Sequence, residues 1–413
     1  MSEWKEIKID QLCEAIIDCV NKTAPIVDEI TPYRMIRTTN VKDGRIDLSS
    51  TNYVTEDVFR KWTRRSTLQK GDIILTREAP LGEVGKIIDG GNLFLGQRLM
   101  MYRPDPDIVD PDFLFYAFLS KEIQYQIKSF GMGSTVEHMR VGDCSEIIFK
   151  VPSLQEQREI GKTLSILDRK ISNLREQNET LERIAQTLFK HWFVDFEFPN
   201  EDGKPYKSSG GEMVRSELGE IPAGWQAGEL GNIGKNIRDG ISEDEIQPDM
   251  NYIALEHMPR KQIALDSWDT AADIASNKFI FKKGNILFGK LRPYFHKVGI
   301  AFISGVCSTD ILVLGSKRKD LFSFLLMVLS SDEFIKYVTL ASEGTRMPRT
   351  SWEYMKEYPI YIPDNSVVSA FNDLVKASTN KIENNVFQIQ TLTQIRDVLL
   401  PKLMSGKLRI TAS

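Results

Sequence analysis

Residues 164–193, near the middle of the chain, contain neither proline nor glycine, and hydrophobic residues recur through them at alternating steps of four and three. This heptad pattern is typical of a coiled coil, in which a second helix covers the apolar seam. Asn178 is a polar residue at a seam position, where such residues fix register and pairing. The sequence therefore predicts a long helix at 153–198, with Ser153 and Glu156 as a capping box at its start. The predicted seam consists of Ile160, Leu164, Leu167, Ile171, Leu174, Asn178, Leu181, Ala185, Leu188 and Trp192.

The same pattern occurs a second time, 211 positions later, so that Lys170 matches Lys381. The segment that precedes each long helix follows the same offset, because GSTVEHMRVGDCSEIIFKVP (133–152) aligns with GTRMPRTSWEYMKEYPIYIP (344–363). A constant offset across a helix and the loop before it favours a duplicated module over chance similarity. A repeat of about 200 residues is too long for a solenoid, whose units are about 20 to 50 residues.

The second helix has a poorer seam than the first, although it is mostly apolar at the matching positions. Its members are Phe371, Val375, Ser378, Ile382, Asn385, Ile389, Leu392, Arg396, Leu399 and Leu403. Pairing of the two helices within one chain would cover both seams, and it would be antiparallel if a two-fold axis relates the duplicated halves. The alternative is that each helix pairs with another protein. About 40 residues give a helix of roughly 60 Å, long enough to act as a spacer.

These patterns predict an α+β protein with two similar α/β domains separated by two long antiparallel helices in a pseudo-two-fold arrangement. We expect Pro401 to disturb the second helix, because proline cannot donate in the helical ladder. The tail SGKLRI is expected to return to the first domain as a strand. The predicted boundaries are 1–152 for the first domain, 153–198 for the first helix, 199–214 for a linker, 215–363 for the second domain and 364–413 for the second helix and tail.

Basic residues cluster locally, although the formal net charge of −4 gives no sign of nucleic-acid binding. One cluster lies in FRKWTRRSTLQKG (59–71) and the other in KFIFKKGNILFGKLRPYFHK (278–297). Such residues suit contact with DNA phosphates, and arginine can pair with the edge of guanine. For any single residue a solvated surface is the simpler interpretation, but clusters in both copies favour DNA.

The sequence predicts a cytoplasmic protein without a membrane span. It has no run of about 18 apolar residues, and its start lacks the apolar stretch of a secretory signal. The four cysteines are far apart and form no C-x-x-C pair, which argues against a zinc site or a disulfide framework. They are Cys13, Cys19, Cys144 and Cys307.

One short pattern is compatible with catalysis but is short enough to arise by chance. Asp72, Glu83 and Lys86 have the order of a metal-dependent nuclease, in which two carboxylates hold Mg²⁺ and the lysine steadies the attacking water. The second copy has Asn285, His296 and Lys297 in this region, so only one half could cut DNA. The alternative is a strand, a turn at Pro80-Leu81-Gly82 and a second strand. The chain has no phosphate-binding loop and no amino-methyltransferase motif.

Several segments resemble the specificity subunit of type I restriction–modification enzymes: PSLQEQREI, LFKHWFVDFEFPN, SELGEIPAGW and RDVLLPKLMSGKLRI. The resemblance covers the whole chain. It implies a subunit without a catalytic site, in which each domain reads one half of a bipartite target in double-stranded DNA and the helices set the unread spacer. It also implies two methyltransferase subunits and motor-endonuclease subunits as partners. Those partners would use S-adenosylmethionine, ATP and Mg²⁺, so we expect no cofactor in this chain.

Candidate DNA-binding residues come from the basic clusters and from the GST and GTR loops that precede each long helix. A purely structural adaptor that bridges two proteins, without DNA contact, is a third hypothesis. The candidates are Arg60, Lys61, Arg64, Arg65, Arg77, Ser134, Thr135, Arg140, Lys290, Arg292, Thr345, Arg346 and Arg349.

Overall fold

The computed structural model describes residues 4–48, 50–131, 137–340 and 347–410. The chain forms two compact units. Unit 1 consists of Met1–Arg169 and Thr393–Ser413, and unit 2 consists of Lys170–Leu392. Each unit therefore contains part of both long helices, α4 (Leu154–Phe189) and α9 (Asn365–Met404).

The strands and short helices of unit 1 precede α4. They are β1 Lys5–Lys8, β2 Cys13–Asp18, β3 Arg34–Ile36, β4 Val41–Lys42, β5 Arg45–Ile46, β6 Asn52–Tyr53, α1 Glu56–Trp62, β7 Ile73–Arg77, β8 Leu81–Lys86, β9 Leu93–Leu95, β10 Leu99–Pro104, α2 Pro111–Leu119, α3 Lys121–Phe130 and β11 Ile148–Val151.

In unit 2, a π-helical turn at Lys190–Val194 ends the first long helix. The other elements are β12 Met213–Ser216, β13 Gly219–Pro222, β14 Gln226–Glu229, α5 Leu230–Ile233, β15 Gly234–Asn236, β16 Gly240–Ile241, β17 Asn251–Ile253, β18 Asp269–Thr270, β19 Lys278–Phe281, β20 Ile286–Gly289, β21 Val298–Ile300, β22 Gly305–Cys307, β23 Ile311–Ser316, α6 Phe322–Leu329, α7 Asp332–Leu340, α8 Trp352–Met355 and β24 Pro359–Ile362.

The two units share one topology. Unit 1 has a four-stranded antiparallel sheet in the order β2-β10-β7-β8, and unit 2 has β15-β23-β20-β21. A second sheet contains β6-β3-β9 in unit 1 and β18-β17-β22 in unit 2, each with one parallel and one antiparallel pair. The first strand also pairs with the last in each unit, as β1-β11 and β14-β24. The structure therefore confirms the predicted duplication and the mixed helix and sheet content.

A helix that is apolar on all sides supports the main core of each unit. In unit 1 every residue from Phe113 to Phe118, in α2, is buried. In unit 2 the corresponding α6, FSFLLMVL, is buried from Ser323 to Leu329. Such a helix is stable only when other elements cover it on every side. The Asp110 carboxylate starts α2 because it accepts a hydrogen bond from the Phe113 N–H at 2.9 Å, with Pro111 at the first position.

Within each unit the two long helices run antiparallel. In unit 1, Leu164 of α4 and Leu403 of α9 lie in the same core. In unit 2, Ile171 and Leu174 pack with Ile389 near the unit boundary. Farther along unit 2, the Asn385 side-chain amide donates a hydrogen bond to Asn178 Oδ1, and the ring centres of Phe189 and Phe371 are 6.2 Å apart. Higher numbers in α4 thus meet lower numbers in α9, as predicted for pairing within one chain.

The predicted seam residues divide between buried and half-buried positions. Leu164, Ile171, Leu174, Asn178, Ile382 and Ile389 are buried. Leu167, Leu181, Leu188, Leu392 and Leu399 are half-buried. Arg396, at a weak position of the second seam, forms an ion pair at 2.9 Å with Asp168, whose carboxylate also accepts from the Tyr116 hydroxyl at 2.6 Å.

Three local predictions at the helix ends were wrong. The second helix continues through Pro401 to Met404. The tail reaches the core of unit 1, where Ile410 is half-buried, but residues 405–410 form turns and extended chain and no strand. The capping box is incomplete: the Ser153 hydroxyl accepts from the Glu156 N–H at 3.4 Å, but the Glu156 carboxylate pairs with Arg409. Arg409 therefore attaches the tail to the start of α4.

Candidate nucleic-acid interface

In unit 1 the turn between β7 and β8 meets the segment that follows residue 136. Glu78 forms a β-bridge with His138. The Arg77 carbonyl accepts from the Met139 N–H at 2.9 Å, and the Arg77 guanidinium donates to the Met139 carbonyl at 3.1 Å. We call residues 77–79 and 137–140 the unit 1 junction.

Unit 2 builds the same junction from 290–296 and 347–350. Leu291 forms a β-bridge with Arg349, and the Thr350 N–H donates to the Lys290 carbonyl at 3.0 Å. The Arg292 N–H donates to the Pro348 carbonyl at 2.7 Å. The two junctions thus occupy the same place in the duplicated topology. The candidates Ser134, Thr135, Thr345 and Arg346 belong to the adjoining loops and lie outside the described residues.

Both junction turns contain a left-handed residue just before a proline. Ala79 has φ 53° before Pro80, and Arg292 has φ 50° before Pro293. This conformation disfavours any residue that carries a Cβ atom, by roughly 1–2 kcal/mol. Its occurrence at the same place in both units shows that the surrounding bridge holds the turn in a defined shape, which suits a surface that must present side chains accurately.

The junction cations differ in how free they are to contact a ligand. Arg140 is exposed, and no carboxylate among the described residues pairs with it. Arg349 is 47% exposed at its side chain and pairs with Asp310 at 3.1 Å. Lys290 and Arg292 are half-buried. Arg77 was predicted to bind DNA, but its guanidinium binds the chain's own backbone and supports the junction.

The remaining basic candidates lie on and just after α1, which packs through Phe59 on the β3-β9 sheet. Arg60 pairs with Glu56 at 2.5 Å, and Arg65 pairs with Asp18. The Arg64 Nε donates to the Lys61 carbonyl at 3.1 Å, and the Lys61 ammonium lies 5.8 Å from the Trp62 ring centre. All four cations are exposed, but a carboxylate partially neutralises two of them.

The nuclease hypothesis was wrong. Asp72 is 1% exposed, and both oxygens of its carboxylate accept from Arg103 at 2.8 Å. Glu83 accepts from the Asp43 N–H at 3.0 Å, and Lys86 pairs with Asp112. The three side chains therefore serve separate structural contacts around the strand–turn–strand, which was the alternative interpretation. The part of the chain that the structure describes contains no group of three or more His, Cys, Asp or Glu side chains that could hold a metal ion.

Two contributors to the junctions were missed. Arg98 has φ 67°, and its backbone carbonyl accepts from the Arg77 N–H at 2.8 Å. Its guanidinium pairs with the Glu78 carboxylate at 3.5 Å. Tyr294, in the sequence LRPYF, is exposed at the tip of the unit 2 turn. The aromatic beside a basic residue was visible in the sequence, whereas no local pattern distinguishes Arg98.

A family model for the type I restriction modification DNA specificity domain matches residues 1–183 and 222–388, one match on each copy of the module. The chain belongs to this family. It is a DNA-recognition subunit of a type I restriction–modification system and not the catalytic one. The two matches coincide with the duplication in the sequence and in the sheets.

Similar proteins agree with this assignment. The type I restriction enzyme MjaIX specificity subunit of Methanocaldococcus jannaschii is 29% identical over 374 residues, which cover 86% of this chain and 82% of that protein. The HindI specificity subunit of Haemophilus influenzae is 23% identical over 409 residues, with 83% and 88% covered. The S subunit structure from M. genitalium has 19% identity and a TM-score of 0.52 over 99% of this chain and 97% of that one, which supports the fold. Within the described ranges no helix is both long and apolar enough to cross a bilayer.

Proposed function

We propose that each unit reads one half of a bipartite target in double-stranded DNA through its junction, and that α4 and α9 set the length of the unread spacer. The observation that carries this proposal is the repeated junction, in which the same bridge and the same left-handed turn occur in both units. A half-site reader needs a rigid surface with cations beside base-contacting side chains, and Arg140 and Arg349 supply exposed cations there.

We also propose two methyltransferase subunits and motor-endonuclease subunits as partners, which act with this chain in the cytoplasm. The duplication supports two copies of one partner. Ile184 of α4 and Ile395 of α9 occupy matching positions and are 54% and 43% exposed. Apolar side chains on the outer face of a helix suit a protein contact. S-adenosylmethionine, ATP and Mg²⁺ would then belong to the partners.

To test this proposal, the chain is expressed with its methyltransferase and motor-endonuclease subunits in a host, and methylated adenines are mapped across the genome. We expect one bipartite motif with a constant spacer. Arg140→Glu and Arg349→Glu place a negative charge at one junction each, and each variant should reduce methylation by about 5- to 100-fold, because one mismatched contact costs about 1–3 kcal/mol.

Unchanged methylation by both variants would favour the adaptor hypothesis and contradict DNA reading at the junctions. The spacer proposal has its own test, the addition of one heptad to each long helix. This change should lengthen the preferred spacer and leave both half-sites as they are, and a change of half-site identity would contradict it.

A further inference from the structure

The tip of the β20-β21 turn in unit 2 carries an exposed aromatic side chain, that of Tyr294. Tyr294 is 50% exposed, and among the described aromatic rings it pairs with that of Phe295, with the ring centres 4.8 Å apart at an interplanar angle of 70°. No hydrogen bond involves its hydroxyl group among the described residues. An exposed tyrosine at the tip of a turn is available to a ligand through both an apolar ring and a polar hydroxyl group.

The turn around Tyr294 is attached at both ends. Arg292 and His296 have φ values of 50° and 51°, and the segment between them forms a single 3-10 turn. The Arg292 N–H donates to the Pro348 carbonyl, and the His296 carbonyl accepts from the Lys261 N–H at 2.9 Å. The His296 ring is 6% exposed, and its Nε2 lies 2.9 Å from the Ser330 carbonyl. Burial lowers the pKa of His296.

Two guanidinium groups flank the aromatic pair. The Arg260 guanidinium lies 4.1 Å from the Phe295 ring centre, and that of Arg292 lies 6.0 Å from it. Neither forms an ion pair with a described carboxylate. The nearby Lys261, in contrast, pairs with Asp332 at 3.2 Å. The tip therefore carries the exposed Tyr294 ring beside the Phe295 ring, and two guanidinium groups without an acidic partner among the described residues lie near Phe295.

We propose that Tyr294 is a specificity-determining residue of unit 2, whose ring packs against a base step of the half-site while Arg260 and Arg292 bind the flanking phosphates. The inference rests on the proposed function. Aromatic rings pack on bases, wedges at base steps deform the duplex in a sequence-dependent way, and arginine supplies the phosphate contacts. Duplex DNA provides both an aromatic face and two closely spaced negative charges, which together match this tip.

Unit 1 lacks the corresponding feature. The residue that follows the turn proline there is Leu81, which is 7% exposed and packs in the core of unit 1. The two units therefore differ at the residue that follows the turn proline, which is exposed in unit 2 and buried in unit 1. We expect that only the half-site read by unit 2 depends on an aromatic contact.

The experiment maps methylated adenines in a host that carries all three subunits, with Tyr294→Ala, Tyr294→Phe or Tyr125→Ala in this chain. Tyr125 is the control, an equally polar aromatic on α3 of unit 1 that is 76% exposed. We expect Tyr294→Ala to reduce methylation by about tenfold or to relax the sequence at adjacent bases of one half-site, with the other half-site unchanged. Tyr294→Phe and Tyr125→Ala should leave the motif unchanged.

A second measurement uses the purified complex of this chain with its methyltransferase subunits and a target duplex that contains 2-aminopurine at the affected base step. The wild-type chain should change the fluorescence, because a ring that packs against the base step alters base stacking, and Tyr294→Ala should abolish the change. Thermal melting checks that the exposed substitution leaves the fold intact.

Each other outcome overturns the inference in a different way. An unchanged motif with Tyr294→Ala refutes it and leaves the proposed function standing, whereas absence of any bipartite motif for the wild-type chain refutes the proposed function itself. Equal damage from Tyr294→Phe would assign the contact to the hydroxyl group and not to the ring. Loss of the methyltransferase subunits from purified Tyr294→Ala would make the tip a protein contact.

Discussion

The two units share a framework but differ where side chains reach the surface. In unit 1 the junction turn is short and the basic helix α1 packs on the second sheet. In unit 2 the turn contains a 3-10 segment, and β16 and β19 extend the second sheet beyond β22. The cores keep the same order of strands and the same buried helix. Duplication has therefore preserved the packing that folds each unit, while the tips have diverged, as the proposed reading of two different half-sites would require.

The two units differ electrostatically in the turn before β7 and β20. In unit 1 the Asp72 carboxylate accepts from the Gln69 N–H at 2.7 Å and is neutralised by Arg103. In unit 2 the Asn285 amide oxygen accepts from the Lys282 N–H at 2.7 Å, so the turn keeps its hydrogen bond without a charge. Unit 1 thus has a buried ion pair at this turn, whereas unit 2 has an uncharged amide at the same place.

The largest expected effect follows from this difference. Arg103→Ala leaves the Asp72 carboxylate buried without its counter-ion, and it should reduce the free energy of unfolding of unit 1 by about 3–5 kcal/mol. Adding Asp72→Asn, which copies unit 2, should recover most of the loss. Hydrogen exchange at the β7 and β10 amides would measure both variants. Equal exchange in the single and double variants would show that the charge is not what destabilises the unit.

A smaller effect concerns Glu182, which is 4% exposed and attaches α4 to unit 2. Its carboxylate accepts from the N–H groups of Ile263 and Ala264 at 2.9 and 3.0 Å. Burial raises the pKa of the Glu182 carboxyl from 4.5 to about 7, despite these two hydrogen bonds. The matching position of α9 is Thr393, which has no carboxyl group, so the contribution of Glu182 has no counterpart at that position of unit 1.

Because the folded state binds this proton more tightly than the unfolded state, the free energy of unfolding should fall as pH rises from 4.5 to about 7. The expected loss is about 2–3 kcal/mol over that window. Glu182→Gln should abolish this slope, whereas Glu176→Gln, at an exposed position of the same helix, should leave it intact. Urea denaturation at several pH values, followed by hydrogen exchange in unit 2, would measure the slope. A rise in stability with pH over this window would contradict the assigned shift.

The smallest effect compares two neighbouring layers of the helix pair. Asn385 Nδ2 donates to Asn178 Oδ1 at 2.8 Å, and the Asn385 Oδ1 is buried without a hydrogen bond. The duplication relates Asn178 to Ile389 and Asn385 to Leu174, which pack together in the next layer. Asn178→Ile alone should cost about 1–3 kcal/mol, because it leaves a buried amide unpaired.

The double variant Asn178→Ile with Asn385→Leu converts the polar layer into a copy of its apolar neighbour. It should be as stable as the wild-type chain or about 1 kcal/mol more stable, since both buried amides disappear, including the unpaired Asn385 Oδ1. Thermal melting would measure this, and a double variant less stable than either single one would contradict it. If the Asn pair fixes register, the double variant should also broaden the range of spacers that is methylated.

The helices and the duplication could be predicted because both are periodic features of the sequence. Alternating steps of three and four indicate a coiled coil whatever the rest of the fold does, and Lys170 and Lys381 mark the offset directly. Candidate basic residues could be found as clusters in the sequence. Which of them are available to a ligand could not be predicted. Arg77 and Arg140 look alike in the sequence, yet one guanidinium binds the Met139 carbonyl and the other is exposed.

The sequence by itself determined that two copies of one module are joined to two long helices, since heptads and a constant offset need no knowledge of contacts between distant residues. Only the tertiary structure decided which charges are available to a ligand. In the sequence Asp72 resembles a metal ligand. In the structure its carboxylate accepts a hydrogen bond from Arg103, 31 positions away. Pro401 and the tail show the same principle, because packing against the core of unit 1 outweighs local preferences for a break and for a strand. A contact with a residue that is distant in sequence therefore affects the state of a side chain more than its neighbours in sequence do.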